Sequence, residues 1–402
     1  MKILHVIRSV NPAWGGPVEG IRQLGAAVAS RGHGVEAACL DAPDAPWLKD
    51  FPLPVHAVGP ALGTYGFSQR WASWLRQNLR HYDVVIANGI WQYHSFGTWR
   101  VLKDTQIPYL VFTHGMLDPW FKRQYPLKHM KKWMYWPWAE YRVLRDAQAV
   151  LFTCEEERLL ARQSFWLYRC NEVVVGYGTS SPQGDPANQA EAFFAGYPEL
   201  RGKRLALYMG RVHPRKGCDL AIQGFAAALG ADPSWQLVVA GPDETGWKRE
   251  LVQMAEAAGI ANRITWTGMI SGDAKWGALR AAEVLLLPSH GENFGIVVAE
   301  ALACGTPVLI SDKVNIWREV QSDGAGMVAP DNPEGASSLL RHWLALTAAD
   351  QQIMKARAAE CFRRRFEVGR AAENILNAIH APAPPALSEK HANSPGCCLS
   401  ER

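Results

Sequence analysis

Short apolar runs of strand type alternate along most of this chain with longer amphipathic segments of helical periodicity. The first run, Lys2–Ile7, leads through a Gly-Gly loop into a predicted helix at about 18–31 and a second predicted strand at 35–40. The same order of strand, glycine loop and helix begins again at residues 205–209. Strands that alternate with helices are typical of a parallel sheet covered on both faces. The pattern therefore predicts an α/β protein.

The length of the chain and the second series of strands and helices predict two Rossmann-like domains. A chain of 402 residues is longer than one usual domain. A polar stretch separates the two series, so we place the domains at residues 1–182 and 183–362. Residues 381–402 are rich in Pro, Ala and Ser, and this composition predicts a disordered tail.

Composition narrows the class of protein. No apolar run reaches the roughly eighteen residues that a membrane span needs, and the first strand is too short for a secretion signal. The eight cysteines show neither metal-ligand spacing nor a disulfide framework, so we expect a cytoplasmic protein. The net charge is only +4, but residues 1–180 contain 20 Lys and Arg against 14 Asp and Glu. The excess of positive charge therefore lies in the first half.

Two glutamates flank the start of a predicted helix in the second series. An apolar strand is followed by a polar loop with Glu292 and then by a helix that contains Glu300. At 1.5 Å of rise per residue, Glu300 lies roughly 7–8 Å along the helix axis from Gly295. Free N–H groups of Asn293, Phe294 and Gly295 would favour an anion such as phosphate. Acids on both sides of an anion site suit a nucleotide sugar, although two solvated glutamates are the simpler interpretation of the bare pair.

A second loop combines glycine with cations between a strand and a helix. Gly210 and Arg211 follow the strand at 205–209, and Lys216 and Gly217 precede the next helix. An Arg fork and a Lys point charge at a helix N-terminus can hold a diphosphate. A basic surface turn is the equally plain alternative.

Two further positions lie where open α/β sheets bind ligands. Gly16 ends the loop after the first strand, where glycine lets the backbone approach a phosphate closely. His114 follows the strand at 109–113, at the carboxyl end of that strand. Neither is decisive alone, since many tight turns use a glycine pair and a lone histidine is more often structural.

The motifs together resemble one enzyme family. The loop at 210–217 has the spacing Gly-Arg-x-x-x-x-Lys-Gly, and residues 287–308 contain Glu-x7-Glu followed by Ala-Leu-Ala-Cys-Gly-Thr-Pro-Val. Over about residues 1–380 the chain resembles family 4 (group 1) retaining glycosyltransferases, of the type that acts in exopolysaccharide and lipopolysaccharide biosynthesis. The resemblance implies the GT-B fold, in which two facing Rossmann-like domains with parallel sheets enclose a cleft. It also implies that a last helix, at 363–380, crosses back to the first domain.

The resemblance assigns roles to the motif residues. It implies that Glu292 and His114 lie at the donor sugar and that Glu300 binds the ribose. Arg211 and Lys216 would offset the charge of the departing diphosphate, which makes them catalytic together with Glu292 and His114. The residues expected to bind the donor are Gly16, Arg211, Lys216, Asn293, Phe294, Gly295 and Glu300.

The expected reaction is transfer of a sugar from a UDP- or GDP-sugar to a glycan, with retention of anomeric configuration. No Asp-x-Asp motif lies in a suitable place, so we expect no metal and no cofactor; the nucleotide sugar is a substrate. Our mechanistic hypothesis is a front-face transfer. A sugar-nucleotide epimerase of the same shape and a non-catalytic membrane-associated scaffold are the alternatives.

An aromatic and basic stretch at residues 120–138 favours a lipid-linked acceptor. Seven aromatic residues are interleaved there with Lys and Arg. Such a segment can lie on an anionic membrane with its rings at the headgroup level, or it can be a partly buried helix with solvated lysines. No nucleic-acid recognition motif accompanies it, so we do not expect nucleic acid as a partner. The expected acceptor is a glycan, such as a polyprenyl-diphosphate-linked oligosaccharide at the inner face of the cell membrane.

Overall fold

The computed structural model describes residues 1–382, apart from the side chains of Phe121 and Arg123. These residues form two α/β domains, each with one parallel sheet, so the predicted fold class is confirmed. Most of the segment 381–402, for which we predicted disorder, lies outside the described residues.

The first domain is built on a seven-stranded parallel sheet with the order β3-β2-β1-β4-β5-β6-β7. The central strands are buried along almost their whole length, because helices cover both faces of the sheet. The strands are β1 (Lys2–Ile7), β2 (Gly34–Cys39), β3 (Val55–Ala57), β4 (Val84–Asn88), β5 (Tyr109–Phe112), β6 (Ala149–Phe152) and β7 (Glu172–Val174).

Seven helices connect these strands. The longest, α1, follows the glycine loop after β1 and buries one apolar stripe against the sheet. The helices are α1 (Gly16–Ala29), α2 (Gln69–Asn78), α3 (Tyr93–Leu102), α4 (Trp120–Gln124), α5 (Pro126–Tyr135), α6 (Glu140–Arg145) and α7 (Glu155–Ala161).

The second domain has a six-stranded parallel sheet with the order β10-β9-β8-β11-β12-β13. Strand β11 is wholly apolar and fully buried, as expected for a strand near the middle of a doubly covered sheet. The strands are β8 (Arg204–Met209), β9 (Trp235–Ala240), β10 (Ile264–Gly268), β11 (Val284–Leu287), β12 (Val308–Ser311) and β13 (Gly326–Ala329).

Nine helices complete the described chain. The last of them, α16, packs against α1 of the first domain, and Asn374 donates a 3.0 Å hydrogen bond to the carbonyl oxygen of Val175. The helices are α8 (Pro186–Gly196), α9 (Cys218–Leu229), α10 (Lys248–Ala257), α11 (Gly272–Ala281), α12 (Ile296–Ala303), α13 (Trp317–Asp323), α14 (Pro333–Ala345), α15 (Ala348–Cys361) and α16 (Val368–His380).

The two domains are joined by paired backbone and by a shared aromatic cluster. The chain crosses between them twice, and the crossings pair through hydrogen bonds from Thr179 N to Phe366 O (3.0 Å) and from Val368 N to Thr179 O (3.1 Å). The ring of Phe294 lies 5.2 Å from that of Tyr177 and 5.6 Å from that of Phe366. The loops at the carboxyl ends of both sheets therefore face each other across a cleft.

Candidate active site

Two oppositely charged side chains meet at the carboxyl ends of the central strands of the second domain. Lys216, in the loop between β8 and α9, donates from Nζ to Oε1 of Glu292, in the loop between β11 and α12, over 2.5 Å. Both side chains are only 17% exposed. Their sequence separation is 76 residues, so the fold and not the local sequence brings the pair together.

The two loops are fastened to each other around this pair. Gly217 has φ +67°, and a Cβ built there would lie 2.2 Å from the carbonyl oxygen of Pro288, so only glycine allows this approach. The Arg215 carbonyl oxygen accepts from His290 N (2.9 Å) and from the Ser289 hydroxyl (3.1 Å). These contacts fix the distance between the loop that carries Lys216 and the loop that carries Glu292.

Tyr208, at the end of β8, supports the basic loop from below. Its ring is fully buried, and its hydroxyl lies 3.2 Å from the carbonyl oxygens of both Arg211 and Lys216. A buried tyrosine needs a hydrogen-bond partner for its hydroxyl, and here the partners are the two ends of the loop. Sequence reasoning missed this role, because Tyr208 also fits the apolar pattern of its strand.

Glu300 has a partner that the sequence analysis did not anticipate. Lys275 of α11 donates to its Oε1 over 2.7 Å, while Oε2 accepts no hydrogen bond from any described residue. Burial raises the pKa of Glu300, and the charge of Lys275 opposes that shift. The ion pair thus holds a buried carboxylate in place with one oxygen left to accept from a hydroxyl group.

The turn before α12 presents donors to the cleft. Gly295 caps the helix in the left-handed conformation, and within residues 1–382 the N–H groups of Asn293, Phe294 and Gly295 donate to no other residue. The Asn293 amide donates to the Thr153 hydroxyl of the first domain over 3.3 Å. A Cβ on Gly115 would lie 2.6 Å from the Asn293 side chain, so the two domains touch at this point.

Arg211 and Gly16 lie at the periphery of this arrangement. Arg211 is 59% exposed, and its Nη1 lies 3.7 Å from a carboxylate oxygen of Glu244. Gly16 begins α1, faces open space, and accepts a 2.6 Å hydrogen bond from the Tyr177 hydroxyl. Our sequence analysis did not predict Tyr177, whose buried ring lies between α1 and Phe294.

His114 occupies an uncommon backbone conformation. Its φ is +48°, and its ring stacks on Phe112 at 4.5 Å and meets the Asn88 side-chain oxygen at 3.2 Å. Burial, followed by the neighbouring histidines His5 and His94, lowers the pKa of His114 to about 3. The imidazole is therefore neutral at ordinary pH, and a left-handed non-glycine residue of this kind is typical of functional sites.

A buried carboxylate that sequence reasoning missed holds the loop of His114. Glu157 of α7 is 3% exposed and accepts from Gly115 N (2.6 Å) and the Thr113 hydroxyl (2.8 Å) through one oxygen. Its other oxygen accepts from Thr153 N at 2.7 Å and from the Thr153 hydroxyl at 2.6 Å. Four hydrogen bonds thus fix the loops after β5 and β6, both of which contact Asn293.

Family comparisons match each half of the chain. Residues 15–178 match the model described as "Glycosyl transferase 4-like domain", and residues 189–360 match "Glycosyl transferases group 1". The chain therefore carries a glycosyl transferase 4-like domain followed by a group 1 glycosyl transferase domain. The second match includes Arg211, Lys216, Glu292 and Glu300, so both loops of the charged pair belong to the group 1 domain.

Individual proteins are similar to this chain in part of its sequence or in its fold. The D-inositol 3-phosphate glycosyltransferase of Salinispora tropica is 32% identical over 179 residues, which cover 42% of this chain and 36% of that protein. The structure of Anabaena Alr3699/HepE with UDP-glucose superposes with a TM-score of 0.73 at 17% identity, over 94% of this chain and 99% of that one. WaaG, a glycosyltransferase involved in lipopolysaccharide biosynthesis, gives 0.68 at 17% identity, over 94% and 100%. The GT-B fold is thereby confirmed.

The described residues contain neither a membrane-spanning helix nor a cluster of metal ligands. Within residues 1–382, no helix is both long and apolar enough to cross a membrane. In the same residues, no group of three or more His, Cys, Asp or Glu is arranged to hold a metal ion.

Proposed function

We propose that the protein is a retaining glycosyltransferase that moves a sugar from a UDP- or GDP-sugar to a glycan in cell-surface polysaccharide synthesis. The observation that carries the proposal is the contact of Lys216 with Glu292 at the interdomain cleft, beside the unused N–H groups of Asn293 to Gly295. This arrangement joins a cation and backbone donors for phosphate to a carboxylate for hydroxyl groups.

The donor would lie along the loops of the second domain. Glu300 would accept from ribose hydroxyls through its unused oxygen, and Glu292 would accept from the sugar. Arg211 and Lys216 would stabilise the negative charge that develops on the diphosphate as it leaves. HepE, whose structure holds UDP-glucose, supports a nucleotide sugar as the donor.

In the reaction that we propose, the bond between the anomeric carbon and the phosphate oxygen breaks while the acceptor hydroxyl bonds to the same face of the sugar. The proton of that hydroxyl passes to the departing phosphate oxygen, so no separate protein base is required. Neutral His114 would donate to or accept from the sugar without competing for this proton. Detection of a glycosyl adduct on Glu292 by mass spectrometry would refute the front-face step.

The acceptor that we propose is linked to a lipid, because α5 carries an apolar and basic surface. Its apolar members are each at least 47% exposed, and exposed Lys128 and Lys131 accompany them. Large exposed apolar patches mark interaction sites, and lysines beside them favour anionic lipid headgroups. We name this set the α5 surface: Leu127, Met130, Trp133, Met134, Trp138 and the adjacent Trp166.

Vesicle sedimentation tests this membrane contact. Wild-type protein should sediment with vesicles that contain phosphatidylglycerol and much less with pure phosphatidylcholine. A variant with Leu127→Gln and Trp138→Gln should lose most of the binding without loss of thermal stability, because both side chains are exposed. Equal sedimentation of variant and wild type would refute the contact through α5.

A donor screen tests the transferase itself. The protein would be incubated with UDP-, GDP-, ADP- and dTDP-sugars, and thermal shift and release of nucleotide would be measured. We expect the sugars of one nucleotide to stabilise the protein. That nucleotide should be released slowly in water and faster with an acceptor. Isomerised donor without nucleotide release would instead indicate an epimerase.

A further inference from the structure

A cavity of about 640 Å³ lies between the two domains, next to the loop that carries Glu292. Its wall includes Asp118 and Trp120 of the first domain, and His290 and Gly291 of the second. Gly291 directly precedes Glu292. Lys313 and Asn315, which also line the cavity, bond to the backbone of Glu292. Glu292 N donates to Lys313 O and Glu292 O accepts from Asn315 N, each at 3.0 Å. The cavity therefore begins where the proposed donor sugar ends.

The wall of this cavity is acidic. Five carboxylate residues line it, against two strong cations, Arg215 and Lys313. Both cations are engaged with acids of the same wall, since Arg215 lies 3.8 Å from Asp118 and Lys313 lies 3.0 Å from Asp312. A phosphate or carboxylate group in this cavity would meet net negative charge, which disfavours it.

The same wall suits a neutral polyol. Asp331 accepts from or pairs with His290 Nδ1 at 2.8 Å, and Gln124, Gln163 and Asn315 add amide donors and acceptors around the cavity. Carboxylates and amides can each accept hydrogen bonds from several hydroxyl groups.

Aromatic rings supply the apolar part of the wall. Trp120 lines the cavity with Tyr125, and their ring centroids are 5.9 Å apart. The Arg215 guanidinium lies 3.9 Å from the Trp120 centroid, so the ring is held in place from the second domain. A site with aromatic faces and a few placed polar groups is the usual form of a small-molecule pocket.

We infer that this cavity binds the acceptor, and that the sugar accepted there is uncharged, with its hydroxyl groups bound by the carboxylates and amides of the wall. This inference rests on the proposed transferase function and specifies its substrate class. It places any phosphate of a lipid-linked acceptor outside the cavity. It also predicts that inositol 3-phosphate, for which the relative from Salinispora tropica is named, is not an acceptor of this chain.

The test compares neutral with anionic acceptors on one protein preparation. Nucleotide release from UDP-glucose and GDP-mannose is measured in water, with p-nitrophenyl glycosides of glucose, galactose and mannose, and with D-myo-inositol 3-phosphate. We expect at least one neutral glycoside to accelerate release above the rate in water, and inositol phosphate to leave it unchanged. Acceleration by inositol phosphate alone, or by no acceptor, would overturn the inference.

A variant connects the result to this cavity. Asp331→Asn keeps the shape of the side chain but removes its charge, and should raise the KM for the active glycoside about tenfold while the donor KM stays the same. The matched control is Asp104→Asn, which changes an exposed carboxylate that pairs with the neighbouring Lys103 and does not line the cavity. Equal acceptor KM values in the two variants would refute the assignment, whereas absence of release with every nucleotide sugar would refute the transferase proposal itself.

Discussion

Lys216→Met removes the cation that we place at the departing diphosphate while it keeps most of the side-chain volume. Lys216 Nζ and Glu292 Oε1 are 2.5 Å apart, and both side chains are 17% exposed, so little solvent screens them. At an effective dielectric constant of about 20, unit charges 4 Å apart interact by about 4 kcal/mol. Loss of one positioned group at a developing negative charge lowers kcat by about 10²–10³-fold. We expect a decrease of that size.

The effect on folding should be much smaller. The variant loses a hydrogen bond between charged groups, worth about 1.5 kcal/mol, and leaves Glu292 partly in contact with water. For a domain of about this size, such a loss lowers Tm by about 3–6 °C. The variant should therefore be folded at the temperature of the assay, and its low activity can be attributed to the missing charge.

The assay is steady-state nucleotide release from the donor found in the screen, with thermal unfolding measured on the same samples. Lys203→Met is the matched control, because this exposed lysine lies just before the opposite, amino end of β8 and its ammonium donates to the carbonyl oxygen of Pro233. The control should keep kcat and Tm. A Lys216→Met protein that keeps kcat within about threefold of wild type would refute our account of how the leaving group is stabilised.

Three further outcomes follow from the same contacts. Lys275→Met should raise the donor KM about tenfold with a smaller change in kcat, because it removes the partner that holds the Glu300 carboxylate, which we expect at the ribose. Steady-state kinetics that show equal effects on KM and kcat would contradict this. Gly217→Ala should lower the free energy of unfolding in urea by about 3 kcal/mol. The new residue would be strained at φ +67°, and its Cβ would meet the carbonyl oxygen of Pro288. Burial lowers the pKa of His5 and His94 to about 4 and that of His114 to about 3, so these three histidines bind more protons in the unfolded chain below about pH 6.5. Burial raises the pKa of Glu140 to about 8, which has the opposite effect at one site. Stability in urea should therefore decrease from about pH 7 to about pH 5, and an unchanged midpoint would refute the buried neutral histidines.

The sheet strands and the two site loops could be predicted because their cause is local. An apolar run such as Val284–Leu287 has few alternatives to a buried strand, and the glycines that end such runs mark the loops. To predict the contact of Lys216 with Glu292, more information was needed, because periodicity does not show which residues 76 positions apart come together. Only the resemblance to a family placed both loops at one cleft.

Residues that support the site were harder to find, because each has an ordinary local explanation. Glu157 is the third of three consecutive glutamates at the start of α7, where the helix dipole favours any acid. Only the third one is buried beneath the loops after β5 and β6, and this depends on how those loops fold over it. Lys275 likewise fits an amphipathic helix, and its partner Glu300 lies on another helix.

At the end of the second domain, side chains that are distant in the sequence determine where one helix ends and the next begins. The last helix is expected at 363–380, but a π-helical turn occupies Phe362–Phe366 and α16 begins at Val368. In that turn Arg365 forms two hydrogen bonds to Asp323, at 2.7 and 2.8 Å, and Phe366 reaches the ring of Phe294. An amphipathic pattern contains no information about these partners.

The aromatic contact at this turn connects the two interdomain crossings to the site. Phe294 lies between two residues whose donors face the cleft, and its ring packs against Tyr177 and Phe366, which flank the two interdomain crossings. A rotation of the domains about these crossings must therefore move or repack the ring of Phe294. Asn293 is next to Glu292 and contacts Gly115, which is next to His114. Such a rotation would therefore also separate the loop of Glu292 from the loop of His114. The charged pair would remain intact, because both of its loops belong to the second domain.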